Sequence, residues 1–334
     1  MGNEKGPPGQ TPSLWRRRRR YFIIGGIIML VIIIGLTVGL GVGLTNANRG
    51  PQCYYGHCPS SSSSSVPSPT PAPPAGNGTV INGVWQPENG TTWQYQLATP
   101  VTNPSTDGID VWDFDLFDNE ASTISDIQGN GSKVICYLSV GSYEDWRPDK
   151  GNFTQADLGN QLDGWPGEYW LNTNSDNVRQ IIAARLDLAV QKGCNGVDPD
   201  NVDAYNNDNG LGLTQQDAIN YIEFLADEAE ARNLSIGLKN ALEVLPHVID
   251  RMQWSVNEQC LQYDECDQLG PFIDQQKPVF HVEYPKGEGN QNNARVSADI
   301  FNSICDSPSI DGFSTIIKNT NLDTFTEFCQ VTLP

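Results

Sequence analysis

From Asn89 to the C-terminus, apolar positions along the chain switch between two spacings. Short alternating or continuous apolar runs, the pattern of strands, are separated by stretches in which apolar residues recur every three or four positions, the pattern of helices. Eight strands are predicted: Thr92 to Leu97, Ile109 to Phe117, Lys133 to Val140, Gly196 to Asp200, Ser235 to Asn240, Trp254 to Cys260, Val279 to Tyr284 and Gly312 to Lys318. Between them, Ser175 to Lys192 carries Val178, Ile181, Ile182, Leu186 and Ala189 at helical spacing and stops before Gly193. Thr214 opens a second helix, Gln215 to Arg232, with Asp217 three residues on as a capping acid. Shorter helices are predicted at Glu120 to Gln128, Leu245 to Met252, Ala294 to Ile304 and Leu322 to Phe328. Alternating strand and helix implies a parallel sheet, and eight such units in about 250 residues match a closed (β/α)8 TIM barrel. The competing architecture, an open doubly wound sheet, has no glycine-rich dinucleotide fingerprint after the first strand to support it.

The preceding residues read differently. Arg16 to Arg20 stand before an uncharged apolar run from Tyr21 to Leu44, long enough to span a bilayer as a helix, which needs about 20 residues. A basic cluster ahead of such a run keeps that end in the cytoplasm. The expectation is a cytoplasmic basic tail (1–20), a transmembrane signal anchor (21–44), a Ser/Pro-rich extracellular stalk (45–88) and the barrel (89–334), hence a single-pass type II plasma-membrane protein with its barrel outside. The competing reading, a cleaved signal peptide, has an apolar core of only about 7 to 15 residues. Ser60 to Ser65 followed by Pro67, Pro69, Pro71, Pro73 and Pro74 cannot bury a core, which makes this stretch a stalk.

Outward exposure fits three further features. Asn77, Asn89, Asn130, Asn152 and Asn233 each open an Asn-x-Ser/Thr sequon beyond the anchor, so N-glycans are expected there. Eight cysteines in an oxidising compartment should be mostly paired. Sequence neighbours suggest Cys53 with Cys58, Cys260 with Cys266 and Cys305 with Cys329, leaving Cys136 for Cys194. The net charge of −20 divides unevenly, because residues 1–50 hold seven Lys/Arg and one Glu, which leaves −26 on the remainder. Such a surface repels nucleic acid and attracts a polycation; solubility in an acidic medium is the plainer explanation.

The stretch Gly196-Val197-Asp198-Pro199-Asp200-Asn201-Val202-Asp203 runs a buried strand into three carboxylates. Alternation puts Asp198 and Asp200 on one face and Val197 and Pro199 on the other. Neighbouring carboxylates cannot ionise independently, which is one way to keep one acid protonated and another charged. An acidic loop or a helix-capping cluster is the alternative. Chemistry in barrels sits at the C-terminal ends of strands. Asp113 and Asp115 end the second predicted strand, Ser142 and Glu144 follow the third, and Lys239 and Asn240 end the fifth. Glu258 ends the sixth, Glu283 and Tyr284 the seventh, and Lys318 the eighth.

Carboxylates on separate strand ends are what glycosidic cleavage needs, and Asp200 with Glu258 is the expected catalytic pair. Trp93, Tyr95, Trp112, Tyr137, Trp146, Tyr205 and Tyr284 are available to stack on sugar faces, although several of them, Trp112 most plainly, alternate toward the helices as core. No Gly-x-Ser-x-Gly elbow supports a serine nucleophile. With only three histidines and cysteines that should pair, no zinc site is expected; neither metal nor cofactor is. A magnesium-dependent phosphodiesterase remains an alternative, weakened by the negative charge of this part of the chain.

From Trp93 onward the chain resembles glycoside hydrolase family 114, the fungal and bacterial endo-α-1,4-polygalactosaminidases. The likeness rests on Trp93-Gln94-Tyr95-Gln96-Leu97, on Tyr137-Leu138-Ser139-Val140-Gly141 with Glu144, on Gly196 through Tyr205, on Lys239-Asn240 and on Asn257-Glu258-Gln259-Cys260. An anchored form with a Ser/Pro stalk is similar to fungal members acting on galactosaminogalactan, a cell-wall and biofilm polysaccharide. The resemblance implies a (β/α)8 hydrolase cutting internal α-1,4 bonds between galactosamine units with Asp200 and Glu258 as catalytic carboxylates. By analogy with retaining α-galactosidase barrels, Asp200 is the nucleophile and Glu258 the acid/base. Deacetylated galactosamine is a cation, so Asp113, Asp115, Glu144, Asp198, Asp203 and Glu283 are expected to line an attracting cleft, together with Trp93, Tyr137, Tyr205, Asn240 and Tyr284. Lys239 is expected to pair with Asp200 or a neighbour, keeping the nucleophile ionised while Glu258 stays protonated. A barrel that binds carbohydrate without turnover, and another α-glycosidase such as an α-galactosidase, remain the competing functions.

Overall fold

The computed structural model describes residues 78–81, 83–102, 104 and 108–331. Fourteen strands lie among them: β1 (Thr79–Ile81), β2 (Val84–Gln86), β3 (Trp93–Gln96), β4 (Val111–Asp115), β5 (Lys133–Ser139), β6 (Ser142–Glu144), β7 (Leu158–Gln161), β8 (Glu168–Leu171), β9 (Gly196–Asp200), β10 (Ser235–Lys239), β11 (Trp254–Glu258), β12 (Val279–Glu283), β13 (Ser314–Lys318) and β14 (Thr326–Phe328). Seven α-helices accompany them: α1 (Ala121–Gly129), α2 (Asp176–Lys192), α3 (Gln215–Glu230), α4 (Leu245–Val248), α5 (Cys260–Tyr263), α6 (Gly270–Asp274) and α7 (Ala298–Cys305).

All eight predicted strands form, and they pair in chain order. The sheet runs β3-β4-β5-β9-β10-β11-β12-β13 with every neighbour parallel, and β14 adds antiparallel to β13. The result is an α/β fold with a nearly closed, nine-stranded barrel-like sheet. Side chains draw its two ends together. Trp93 Nε1 donates to the Ser314 carbonyl at 2.8 Å, and Lys318 Nζ donates to Gln94 Oε1 at 3.0 Å.

Period-two alternation divides each barrel strand between two cores. Trp93, Tyr95, Val111, Ile135, Trp254, Val256, Phe280, Val282 and Ile316 pack together inside the barrel. Trp112, Phe114, Val134, Leu138, Val197, Ile236 and Leu238 point outward and meet the helices. Gly196 and Gly237 are needed on the inner face, because a Cβ at either would enter the indole ring of Trp254. The long helices end as their sequences require. Ser175 Oγ accepts from Val178 N at the start of α2, which stops at Gly193 in the left-handed region (φ 90°). Thr214 and Asp217 make a reciprocal capping box on α3.

Several elements differ from expectation. The stretch Leu322 to Phe328 is not a helix. Leu322 lies at φ 54°, and Lys318 Nζ takes the Asp323 carbonyl and the Thr326 hydroxyl. These contacts draw the segment alongside β13, where β14 forms. Helix α7 starts at Ala298 rather than Ala294, with Ser297 as its cap. The hairpin of β1 and β2 lies inside the stretch expected as stalk; its Trp85 ring packs 5.7 Å from Trp254 and so covers the N-terminal end of the barrel. The antiparallel sheet β6-β8-β7, inserted between β5 and α2, was not foreseen because its short strands share no apolar repeat.

Three disulfides follow the expected pairing: Cys136–Cys194, Cys260–Cys266 and Cys305–Cys329. Cys53, Cys58, the apolar run 21–44, most of the stalk and Asn77 lie outside the described residues. Among the described residues, no helix is long and apolar enough to cross a membrane.

Candidate active site

At the C-terminal ends of β9 and β11, inward alternation carries Asp200 and Glu258 into one pit with Lys239 from β10 between them. Because Lys239 Nζ lies 3.9 Å from Asp200 Oδ2 and 3.8 Å from Glu258 Oε2, those oxygens are at most about 7.7 Å apart, no farther than two-carboxylate glycoside cleavage allows. Asp200 is held by the Tyr137 hydroxyl on Oδ2 and the Asn201 backbone N–H on Oδ1, both at 2.8 Å. Its backbone is braced too. The Val140 and Gly141 amides donate to the Asp200 carbonyl, and Gly141 must lack a side chain because a Cβ there would strike the Asn201 carbonyl. Glu258 accepts from the Tyr284 hydroxyl on Oε1 at 2.6 Å and from Asn240 Nδ2 on Oε2 at 3.1 Å.

Lys239, expected to pair with Asp200 or a neighbour, stands among three carboxylates. Its closest carboxylate is Asp198, with Oδ2 at 3.5 Å, and the two outer acids stand almost equally far. The ammonium also donates to the Tyr95 hydroxyl at 2.6 Å and lies over the Tyr95 and Tyr137 rings. Although burial opposes its charge, the attraction of Asp198, Asp200 and Glu258 holds Lys239 protonated well beyond the ordinary lysine range.

Beneath the pair, Asp113 and Asp198 have no accessible surface. Burial pushes the Asp198 carboxyl up to about 7 despite the opposing pull of Lys239, with Asp200 and Glu258 adding to the rise. Asp113 is held well above the ordinary carboxylate range, by burial and then by Asp198, and neither of its oxygens meets a hydrogen-bond donor. Both residues therefore lie under the pit rather than on a surface that a sugar can touch.

Other expected cleft residues have different partners. Asp115 and Glu144 are gathered by Arg147, which forks onto both Asp115 oxygens at 3.0 and 2.6 Å and reaches Glu144 Oε2 at 2.7 Å. Arg185 completes that buried cluster through Asp149 and the Ser139 carbonyl. Glu283 faces the helix side, where Oε1 accepts from the Leu261 amide and meets His281 Nε2 at 3.0 Å. Trp93, expected as a sugar platform, is 1% exposed inside the barrel between Tyr95 and Phe280. Asp203 opens the turn Ala204–Asn206, and the Tyr205 hydroxyl donates to Glu243 Oε2 at 2.9 Å. Trp146 has 45% of its surface open. Sequence reading missed Tyr95 as the seat of Lys239, and it missed Arg147; the three-residue spacing from Glu144 to Arg147 was the available signal.

Among the described residues, one group has metal-ligand spacing: Cys260, Cys266 and His281. Both cysteines are committed to a disulfide, and the His281 ring nitrogens lie 3.0 Å from Thr315 Oγ1 and Glu283 Oε1, so this group does not fit a metal site.

Residues 77–333 match the family model of glycoside-hydrolase family GH114. Among solved structures, Aspergillus fumigatus Ega3 in complex with galactosamine superposes with a TM-score of 0.71 at 55% identity, covering 76% of this chain and 100% of that one. The glycoside hydrolase domain of PelA from Pseudomonas aeruginosa, at 14% identity, shares the fold, with a TM-score of 0.53 over 71% of this chain and 98% of that one. Among curated proteins, no sequence matches.

Proposed function

Because the chain belongs to glycoside-hydrolase family GH114, we propose that it is an endo-acting hydrolase of α-1,4-galactosaminidic bonds in a cationic, galactosamine-containing polysaccharide of the galactosaminogalactan type. The observation that carries this reading is the facing pair Asp200 and Glu258 across Lys239, in a chain that over 76% of its length is 55% identical to Aspergillus fumigatus Ega3, a protein crystallised with galactosamine.

In the mechanism, Asp200 attacks the anomeric carbon. Glu258 protonates the departing oxygen and then, as carboxylate, draws a proton from the incoming water, so the anomeric configuration is retained. Tyr137, Asn201 and Lys239 surround Asp200 with hydrogen-bond donors and positive charge, which fix its carboxylate in place for attack. Asp200→Asn and Glu258→Gln each lower kcat by about 1,000-fold or more while the melting temperature and polymer binding persist. Turnover within tenfold of wild type in either variant removes that residue from the catalytic pair. Binding without turnover by the wild-type protein moves the reading to a carbohydrate-binding scaffold.

Residues 21–44 anchor the protein in the plasma membrane, and the Ser/Pro-rich residues up to the β1-β2 hairpin form the stalk that carries the enzyme outward toward wall or biofilm polysaccharide. The basic Arg16 to Arg20 cluster and the apolar run support that orientation. N-glycans on Asn77, Asn89, Asn130, Asn152 and Asn233 belong to the same reading. Protease treatment of intact cells should release the barrel, whereas a fully protected barrel contradicts the orientation.

A further inference from the structure

The four oxygens of Asp200 and Glu258 do not face the same kind of partner. On Asp200, Oδ1 receives a backbone N–H, and Oδ2 has the Lys239 ammonium 3.9 Å away beside the Tyr137 hydroxyl. A backbone N–H only donates, so Oδ1 offers a proton no acceptor, and at Oδ2 the nearby ammonium repels a proton although the Tyr137 hydroxyl could accept one. On Glu258, Oε2 receives Asn240 Nδ2 at 3.1 Å and lies 3.8 Å from Lys239 Nζ. The Asn240 amide cannot flip to offer its oxygen there, because Oδ1 already accepts from the Glu258 backbone N–H at 3.0 Å. Glu258 Oε1 and Asp200 Oδ2 each meet a tyrosine hydroxyl, a group able to accept as well as donate, Tyr284 at 2.6 Å and Tyr137 at 2.8 Å. They differ in the ammonium: Lys239 Nζ stands against the Tyr137-bound oxygen of Asp200, whereas on Glu258 it stands closest to Oε2, the oxygen that Tyr284 does not touch.

We propose that Glu258 carries its catalytic proton on Oε1, and that Tyr284 is the positioning residue for that proton. The Tyr284 oxygen accepts from Glu258 while the acid is loaded and donates to the same oxygen once the proton has gone. This rests on the reading of Glu258 as acid/base and adds to it the proton-bearing atom and its partner. In the first half-reaction the Oε1–H bond breaks and the proton passes to the glycosidic oxygen. The anomeric C–O bond to the leaving sugar breaks as an Asp200 oxygen bonds to that carbon. In the second, a water oxygen bonds to the anomeric carbon, the Asp200 ester breaks to give back the carboxylate, and the water proton returns to Oε1. The Tyr284 hydroxyl turns over at each stage, so Oε1 is never left unpartnered. Burial, then the charge of Glu258, holds the Tyr284 phenol protonated well beyond its ordinary range, so it serves as a hydroxyl throughout.

The test is Tyr284→Phe, which removes one oxygen and leaves the other groups facing Glu258 in place: Lys239 on β10 and Asn240 just after it, Asp198 and Asp200 on β9, and Tyr95 on β3. On galactosamine oligomers kcat should fall about 10- to 100-fold with KM within about twofold, part of what a general acid contributes. The alkaline limb of kcat/KM should move up by about one pH unit, because the ionised form has lost a donor. On an aryl α-galactosaminide with a good leaving group, the loss in kcat/KM should shrink to about threefold or less, since that departure needs little protonation. An unmoved alkaline limb with a wild-type melting curve overturns the assignment, as does an equal loss on both substrates. Full activity in Glu258→Gln would instead bring down the acid/base reading itself. An inactive Glu258→Gln beside an unmoved limb in Tyr284→Phe leaves that reading standing and rejects only the role of Tyr284.

Discussion

Asp113 shows how the floor of the pit responds to pH. Its carboxyl is buried beside Asp198 with neither oxygen hydrogen-bonded, so folding favours its neutral form. Both folded-state values are raised above the usual carboxylate range, so the stability these groups contribute is present in acid and lost as pH rises, for Asp198 through about 7. Asp113→Asn removes one of the two titrations. Melting temperatures measured from pH 4.5 to 8 should fall less steeply with pH in this variant than in wild type, and parallel curves would contradict the burial argument. Removing the cation acts in the opposite sense. Lys239→Met leaves Asp198, Asp200 and Glu258 without their shared counter-ion, which should cost about 3 kcal/mol of stability at neutral pH, read from urea unfolding. A loss under about 0.5 kcal/mol would place the balancing charge elsewhere. The alternation that seats Asp198, Asp200, Lys239 and Glu258 inward was legible in the sequence, because period two is local. The capture of Asp115 and Glu144 by Arg147 was not, since it depends on how the chain after β5 folds back over β4.

Strands of the barrel were easier to read than what surrounds them. Each carries inward and outward apolar residues whatever its neighbours do, whereas β14 owes its existence to tertiary contacts. Lys318 supplies one, and the Cys329 amide donating to the Thr315 carbonyl supplies another. Helical spacing in Leu322 to Phe328 lost to them. The Cys305–Cys329 disulfide ties β14 to the end of α7 across 24 residues. Replacing both cysteines by alanine should cost about 3 kcal/mol through the freed loop. Amide exchange should accelerate in Thr326–Phe328 and along Ile316–Lys318, the residues paired with it. Unchanged exchange in both segments would mean that side-chain contacts alone hold the strand. Small elements such as β6, β7 and β8 escaped sequence reading because three- and four-residue strands offer too few positions to define a period.

On the scale of the whole molecule, composition and architecture point to one substrate class. The chain beyond residue 50 carries −26, and the proposed catalytic carboxylates, Asp200 and Glu258, gather at one end of a barrel whose opposite end is covered by the β1-β2 hairpin. A deacetylated galactosamine polymer is a polycation, so its binding should weaken as salt rises, by about tenfold or more between 50 and 500 mM, while a fully N-acetylated polymer shows little salt dependence. Equal salt dependence for both polymers would mean that charge does not guide recognition. Overall charge was readable from composition alone, but galactosamine rather than glucosamine follows only from family membership, because both carry the same ammonium. The most direct measurement is therefore chemical: residues 78–334 incubated with partially deacetylated α-1,4-galactosaminogalactan, with the products sized by mass spectrometry beside an Asp200→Asn control. A ladder of short galactosamine oligomers from wild type, absent from the control, is the predicted result. An intact polymer in the wild-type reaction, or the same ladder from Asp200→Asn, would contradict cleavage by this pair.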